Sequence, residues 1–154
     1  MNHLRWKGAL GLLALAIVMN TSQTLGADEK KDDNNNKNNS HYQACAKECA
    51  ECMRECESCT RHCADLIVEG QKDHLITMGT CIDCADVCAT AAKIVARRGP
   101  MSAAICESCA KACDTCGAAC EKFSDDEQMK RCAQECRNCA KACREMLNHT
   151  SASK

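Results

Sequence analysis

Eighteen of the 154 residues are cysteine, and their spacing says more than their number. They fall in four clusters: Cys45, Cys49, Cys52, Cys56, Cys59 and Cys63; Cys81, Cys84 and Cys88; Cys106, Cys109, Cys113, Cys116 and Cys120; and Cys132, Cys136, Cys139 and Cys143. Inside every cluster the step alternates between three and four residues. A thiol can act as a nucleophile, a disulfide partner or, as thiolate, a ligand for soft metal ions. Nucleophilic catalysis needs one activated thiol beside a base. The chain offers no Ser/His/Asp or Cys/His order to fill those roles and no glycine loop for phosphate, so an enzyme is not expected.

The three/four alternation is the a/d pattern of a heptad. It places every cysteine of a cluster on one narrow stripe of one helix, facing a bundle axis. Four clusters therefore predict an all-α protein, an antiparallel up-down four-helix bundle with a cysteine-lined core. The expected helices cover 41–69, 73–98, 101–122 and 125–148. Ser40 with Gln43 and Ser124 with Glu127 fit capping-box spacing, Pro100 suits a first helical turn, and Gly70 and Gly99 serve as helix stops. With a rise of ~1.5 Å per residue, successive sulfur layers lie ~5 Å apart along the axis. Sulfur can thus line its whole length.

Composition leaves little else to fill that axis. Residues 41–149 hold eleven Leu, Ile or Val, and their aromatic residues are Tyr42 and Phe123. Chain entropy normally demands more apolar burial than this. A core in which cysteine is merely a small hydrophobe is the bland alternative. Eighteen cysteines in a/d register, with Leu and Ile almost absent from the same stripes, argue against it.

Thiolates select Cu(I), Zn(II) and iron in Fe–S clusters. Structural zinc takes a closed tetrahedron of four ligands, and a continuous tube of sulfur has no separate groups of four. Cu(I) accepts two or three sulfurs and shares thiolates. One Cu(I) per thiolate is also neutral, whereas Zn(II) with four thiolates leaves −2 in a poorly solvated interior. Fe–S clusters use cysteine runs in loops, which this stepping does not match. Multiple Cu(I) ions are the favoured cargo, and a zinc-thiolate buffer of metallothionein type is an alternative. So is a disulfide-stapled exported structural protein, since the cysteine number is even. Thiols on one helix face point roughly parallel, however, and clusters of six, three, five and four do not pair evenly across a bundle.

The interleaved Cys-x-x-x-Cys and Cys-x-x-Cys steps in four helices resemble the bacterial cysteine-rich four-helix-bundle copper storage proteins, over about residues 41–149. The resemblance implies a thiolate-lined bundle that takes up many Cu(I) ions and commonly assembles as a homotetramer. For exported members it also implies supplying or holding copper for cuproenzymes. Those exported members carry a twin-arginine signal, and no Arg-Arg pair precedes the apolar run here.

Residues 1–27 read as a signal peptide: Arg5 and Lys7 precede the apolar run Gly8 to Met19, and small residues at Gly26 and Ala27 offer cleavage. General secretion to a periplasmic or extracellular destination is the expectation, with no membrane association after cleavage. Residues 28–40 contain no apolar residue and read as a flexible Asn/Asp/Lys-rich tether, and 150–154 as a C-terminal tail. Removing Arg5 and Lys7 takes the formal charge from −1 to −3, which leaves nothing to attract nucleic acid.

The two ends of the tube differ. Past the last cysteines, at the end where the first helix finishes and the second begins, the stripes continue into His74, Thr77 and Met129, with Met78, Leu66 and Phe123 nearby. Imidazole and thioether bind Cu(I) more weakly than thiolate, so His74 and Met129 are expected to add to the cysteine ligands as a mouth for copper. Plain core filling is the other reading of these residues. At the opposite end the continuation is Tyr42, Ala91, Val95, Ser102 and Met146, which reads as a plug. His41, His62 and His149 are expected to be exposed and not ligands.

Overall fold

In the computed structural model the cysteine stripes lie on four antiparallel helices, described for residues 28–151 with side chains for 39–150. They are α1 (Asp28–Val68), α2 (His74–Ala96), α3 (Ser102–Cys120) and α4 (Glu127–Ser151), with a 3₁₀ turn at Glu121–Phe123 before α4. Each helix packs on its two chain neighbours, α4 closes back on α1, and no strand occurs among the described residues. This is the predicted up-down bundle. α1 and α3 run parallel across one diagonal, α2 and α4 across the other.

Every cysteine is buried, none more than 1% exposed, and Ala46, Ala85, Ala91, Ala110, Ala133 and Ala140 fill the positions beside them. Small flanking residues let the helices approach closely enough for sulfurs to meet across the axis. α2 is long and apolar enough to cross a membrane by length and composition, with a mean hydropathy of 1.3. Its inner face nevertheless belongs to the bundle: His74, Thr77, Cys81, Cys84, Cys88, Ala91 and Val95 are all buried there. Polar ties join the outer edges, among them Gln128 donating to Glu55 at 2.8 Å and Arg137 to Glu121 at 2.8 Å. Exposed pairs of this kind each add little.

The helix ends show where local rules were read too simply. Gly70 stops α1 as expected: at φ +99° it lets its own N–H reach Ile67 and that of Gln71 reach Leu66. At the end of α2 the left-handed residue is Arg98, at φ 52°, while Gly99 sits one step later and donates to Ile94. A Cβ at Gly99 would meet Ile94 Cγ2 and its carbonyl oxygen at 3.3 Å, a tight contact that glycine avoids. α4 starts from Asp126, not Ser124. The Asp126 carboxylate accepts from the N–H groups of Gln128 at 2.8 Å and Met129 at 3.1 Å. Pro100 lies in the turn just before α3.

Two boundaries are corrected. The segment 28–40, expected as a flexible tether, is helical and continuous with α1, so Ser40 lies inside the helix and not at its start. The cost of a helix lies in its first turn, and residues added to a helix already held by a bundle each gain a hydrogen bond without a new nucleus. The expected tail also shortens, because α4 runs through Ser151. The signal-peptide reading, residues 1–27, and positions 152–154 lie outside the described residues.

Candidate metal centre

The diagonal helices α1 and α3 set the register of the site. Their thiols meet in pairs at an offset that alternates between 61 and 60 residues: Cys45 with Cys106 at 3.7 Å, Cys49 with Cys109 at 3.9 Å, Cys52 with Cys113 at 3.8 Å and Cys56 with Cys116 at 3.9 Å. α4 adds Cys143 and Cys139 beside Cys49, both at 3.7 Å, and Cys136 and Cys132 beside Cys56 at 3.8 and 3.9 Å. α2 supplies Cys88, 3.5 Å from Cys113, then Cys84, 3.8 Å from Cys113, and Cys81, 3.6 Å from Cys116. All eighteen are free thiols, and these separations are contacts, far longer than a disulfide bond. The structure brings every predicted cysteine into one column.

Groups of four do form, contrary to the expectation of a featureless tube, but they interlock. Cys49, Cys109, Cys139 and Cys143 lie within 4.8 Å of one another, as do Cys52, Cys84, Cys88 and Cys113, and Cys59, Cys81, Cys120 and Cys132. Two more groups, Cys52, Cys56, Cys84 and Cys136, and Cys56, Cys116, Cys132 and Cys136, overlap them. These five groups ask for twenty ligand places from fifteen cysteines. Separate closed tetrahedra cannot all be filled at once, whereas ions that share thiolates can.

Contacts between thiols in the buried column move their proton affinities in both directions. Cys56 is pushed up to about 11, chiefly through its contact with Cys116, and Cys63 to about 12 through its contact with Cys59. Contacts with Cys120, Cys132 and other neighbours hold Cys116 below the usual thiol range. A metal ion entering the column therefore displaces protons from thiols such as Cys63.

The stripes end in different side chains at the two ends of the bundle. Met129 is fully buried with its Sδ 3.5 Å from Cys59 Sγ, on the α4 stripe one step before Cys132. Thr77 and His74 continue the α2 stripe, 2% and 4% exposed. The His74 ring stacks on Phe123 with centroids 3.9 Å apart, and its Nδ1 is buried without a hydrogen-bond partner. A cleft of about 390 Å³ opens at His74, lined also by Gln71, Phe123 and Asp126 among others. At the other end Val95 and Met146 are at most 1% exposed, and Ser102 is turned to the Gly99 carbonyl at 2.6 Å.

Two histidines depart from expectation. His62 is half-buried rather than exposed, because its Nε2 donates to Asp126 Oδ2 at 2.7 Å across α1 and α4. His41 is half-buried too, its ring stacked on His149 at 3.6 Å. Both partners lie far along the chain, so heptad reading had no signal for them.

Residues 38–148 match the family described as Csp, copper storage protein. The chain belongs to the copper storage protein family. Solved structures agree. A cytosolic copper storage protein from Streptomyces lividans, captured during loading with five coppers, is 28% identical with a TM-score of 0.67 over 73% of this chain and 97% of that one. The same organism's copper storage protein loaded with 10 copper equivalents is 26% identical, TM-score 0.65, over 84% and 93%. A Cu(I)-bound copper storage protein, BsCsp3, is 34% identical, TM-score 0.65, over 70% and 98%. No curated protein sequence matches the chain.

Proposed function

We propose that this protein stores Cu(I) ions in its thiolate column, with all eighteen cysteines as ligands. The carrying observation is eighteen buried free thiols, most of whose sulfurs approach another at 3.5–3.9 Å, and whose groups of four overlap. Shared thiolates and a monovalent ion keep the column near neutrality, which a divalent ion held by four thiolates does not. The protein carries out no catalysis on this reading.

His74 and Met129 form the mouth. A buried imidazole nitrogen with no partner costs free energy, and a Cu(I) ion passing toward Cys59 would satisfy it. Export to the periplasm or beyond is part of the same proposal. The basic and apolar opening of the chain precedes the family match, although the Streptomyces relative is cytosolic. The mature protein is a homo-oligomer with neither nucleic acid nor membrane as a partner. Thermal unfolding of the reduced protein with Cu(I) or with Zn(II) tests the cargo. Cu(I) should raise the midpoint strongly and resist an equal excess of Zn(II), since a thousandfold excess over Kd stabilises by about 4 kcal/mol. Displacement of Cu(I) by Zn(II), or an unmoved midpoint, contradicts the proposal.

A further inference from the structure

Among the described residues the exposed large apolar side chains are Val68, Leu75, Ile76, Ile82 and Met101, and four of the five lie on α2 or at the end of α1 that leads into it. Gly79 stands in the middle of this outer face of α2, one turn after Leu75 and one turn before Ile82. A Cβ at position 79 would meet nothing within 4 Å. Glycine weakens a helix interior, and packing within this chain gives no reason for it here. Lys72 lies seven residues before Gly79, in the turn that enters α2, where its carbonyl accepts from the Leu75 N–H at 3.1 Å. Asp86 lies seven residues after, and both charged side chains are exposed. Seven residues are about two helical turns, so the two charges flank the glycine on its own face.

We propose that this face is a two-fold interface between two copies of the chain, their α2 helices antiparallel and crossing at Gly79. Two-fold symmetry makes a surface meet itself, so its two halves must be complementary about the axis. About Gly79 they are. Lys72 comes opposite the partner's Asp86, and Asp86 opposite the partner's Lys72. Leu75 comes beside the partner's Ile82, and the bare glycine lets the two backbones approach until these side chains cover one another. Opposite charges at both edges of the apolar centre fix the register. A lipid surface would instead take Asp86 out of water without a partner, which disfavours it as the occupant. The inference rests on the homo-oligomer reading and names its surface, and no thiol or copper ion enters it.

Sedimentation velocity of the reduced full-length protein over a concentration series tests it, at low and at high salt. Wild type should self-associate. Gly79→Glu, which opposes two carboxylates at the axis, and Asp86→Lys, which opposes two lysines at each edge, should each weaken association by about tenfold or more. Helical content by circular dichroism should not fall in either variant. The charge swap Lys72→Glu with Asp86→Lys should restore association at low salt. A protein monomeric at every concentration overturns this proposal together with the homo-oligomer reading. An oligomer that both single variants leave intact overturns the α2 face alone, and a charge swap as weak as Asp86→Lys overturns the register. Binding of the wild type to phosphatidylcholine–phosphatidylglycerol vesicles that Gly79→Glu abolishes would give the face to a membrane and overturn the proposal as well.

Discussion

The two ends of the bundle are built on the same helical stripes and finish differently. At one, the stripes end in His74, Thr77 and Met129, with a cleft at His74; at the other, in Val95, Ser102 and Met146, closed over Cys45, Cys106 and Cys143. Methionine occurs at both, 0% and 1% exposed. Only Met129 has its sulfur against a core thiol, at 3.5 Å from Cys59. Heptad periodicity thus builds the column, and the side chains that end each stripe decide where an ion can enter it.

The largest break in this comparison comes from the double variant His74→Ala with Met129→Leu. Its copper capacity should stay nearly intact while loading, and removal by a chelator, slow by roughly tenfold or more, as expected when intermediate ligands of moderate affinity are lost. Stopped-flow uptake measures it. Rates unchanged here, but slowed by Tyr42 and Met146 substitutions, would move the mouth to the opposite end. The two methionines give a sharper version. Met129→Leu and Met146→Leu conserve volume and should each change apo stability by less than about 1.5 kcal/mol. Only Met129→Leu should slow exchange. Equal kinetics in both variants would reduce Met129 to core filling.

A smaller effect belongs to Asp126, which caps α4 beside the mouth. Burial alone raises its pKa, but hydrogen bonds from His62 and from the backbone N–H groups of Met129 and Gln128 outweigh this and hold it below the usual carboxylate range. Asp126→Ala should cost about 1 kcal/mol through the lost cap. The carboxylate contributes stability above its unfolded pKa, and that contribution is lost as pH falls through the lowered folded value. The gap between wild type and variant should therefore close below roughly pH 4, where an unfolded Asp takes up its proton. A denaturant series at several pH values measures this, and a gap constant down to the acid limit would contradict it.

The smallest effect lies at the closed end, where Arg98 holds a left-handed conformation that suits glycine. Arg98→Gly should stabilise the apo protein by about 0.5–1 kcal/mol, with part of the relieved strain offset by the freer unfolded chain. Copper uptake should not change. Destabilisation would mean that the Arg98 side chain makes contacts worth more than the strain.

These cases show what could be read from the chain before its fold. The cysteine stripes, the four helices and the unlike ends were legible because a single period repeats in all four clusters and each exception to it falls at a stripe end. The caps were less so. Ser124 and Asp126 are both good capping residues two positions apart, and only the direction in which the chain enters α4 selects Asp126. Arg98 and Gly99 posed the same difficulty, since glycine is the usual left-handed residue and here serves close approach to Ile94 instead. The helical course of 28–40 went unread because its polar composition speaks to burial, and the helix behind it supplies the nucleus. Contacts between distant segments, His62 with Asp126 and His41 with His149, carry no local signal at all.

The central claim is that the whole thiol column is one store for a monovalent ion. Titration of the fully reduced protein with Cu(I) against a competing chelator, with a parallel count of reactive thiols, tests it most directly. With about one ion per thiolate, binding should continue to on the order of 15 to 20 Cu(I) ions, and reactive thiols should disappear in proportion. Cys52→Ala or Cys113→Ala should each lower that plateau by about one ion and leave the helical content unchanged. A plateau at about four or five ions, the number that separate four-thiolate sites could hold, would contradict the account.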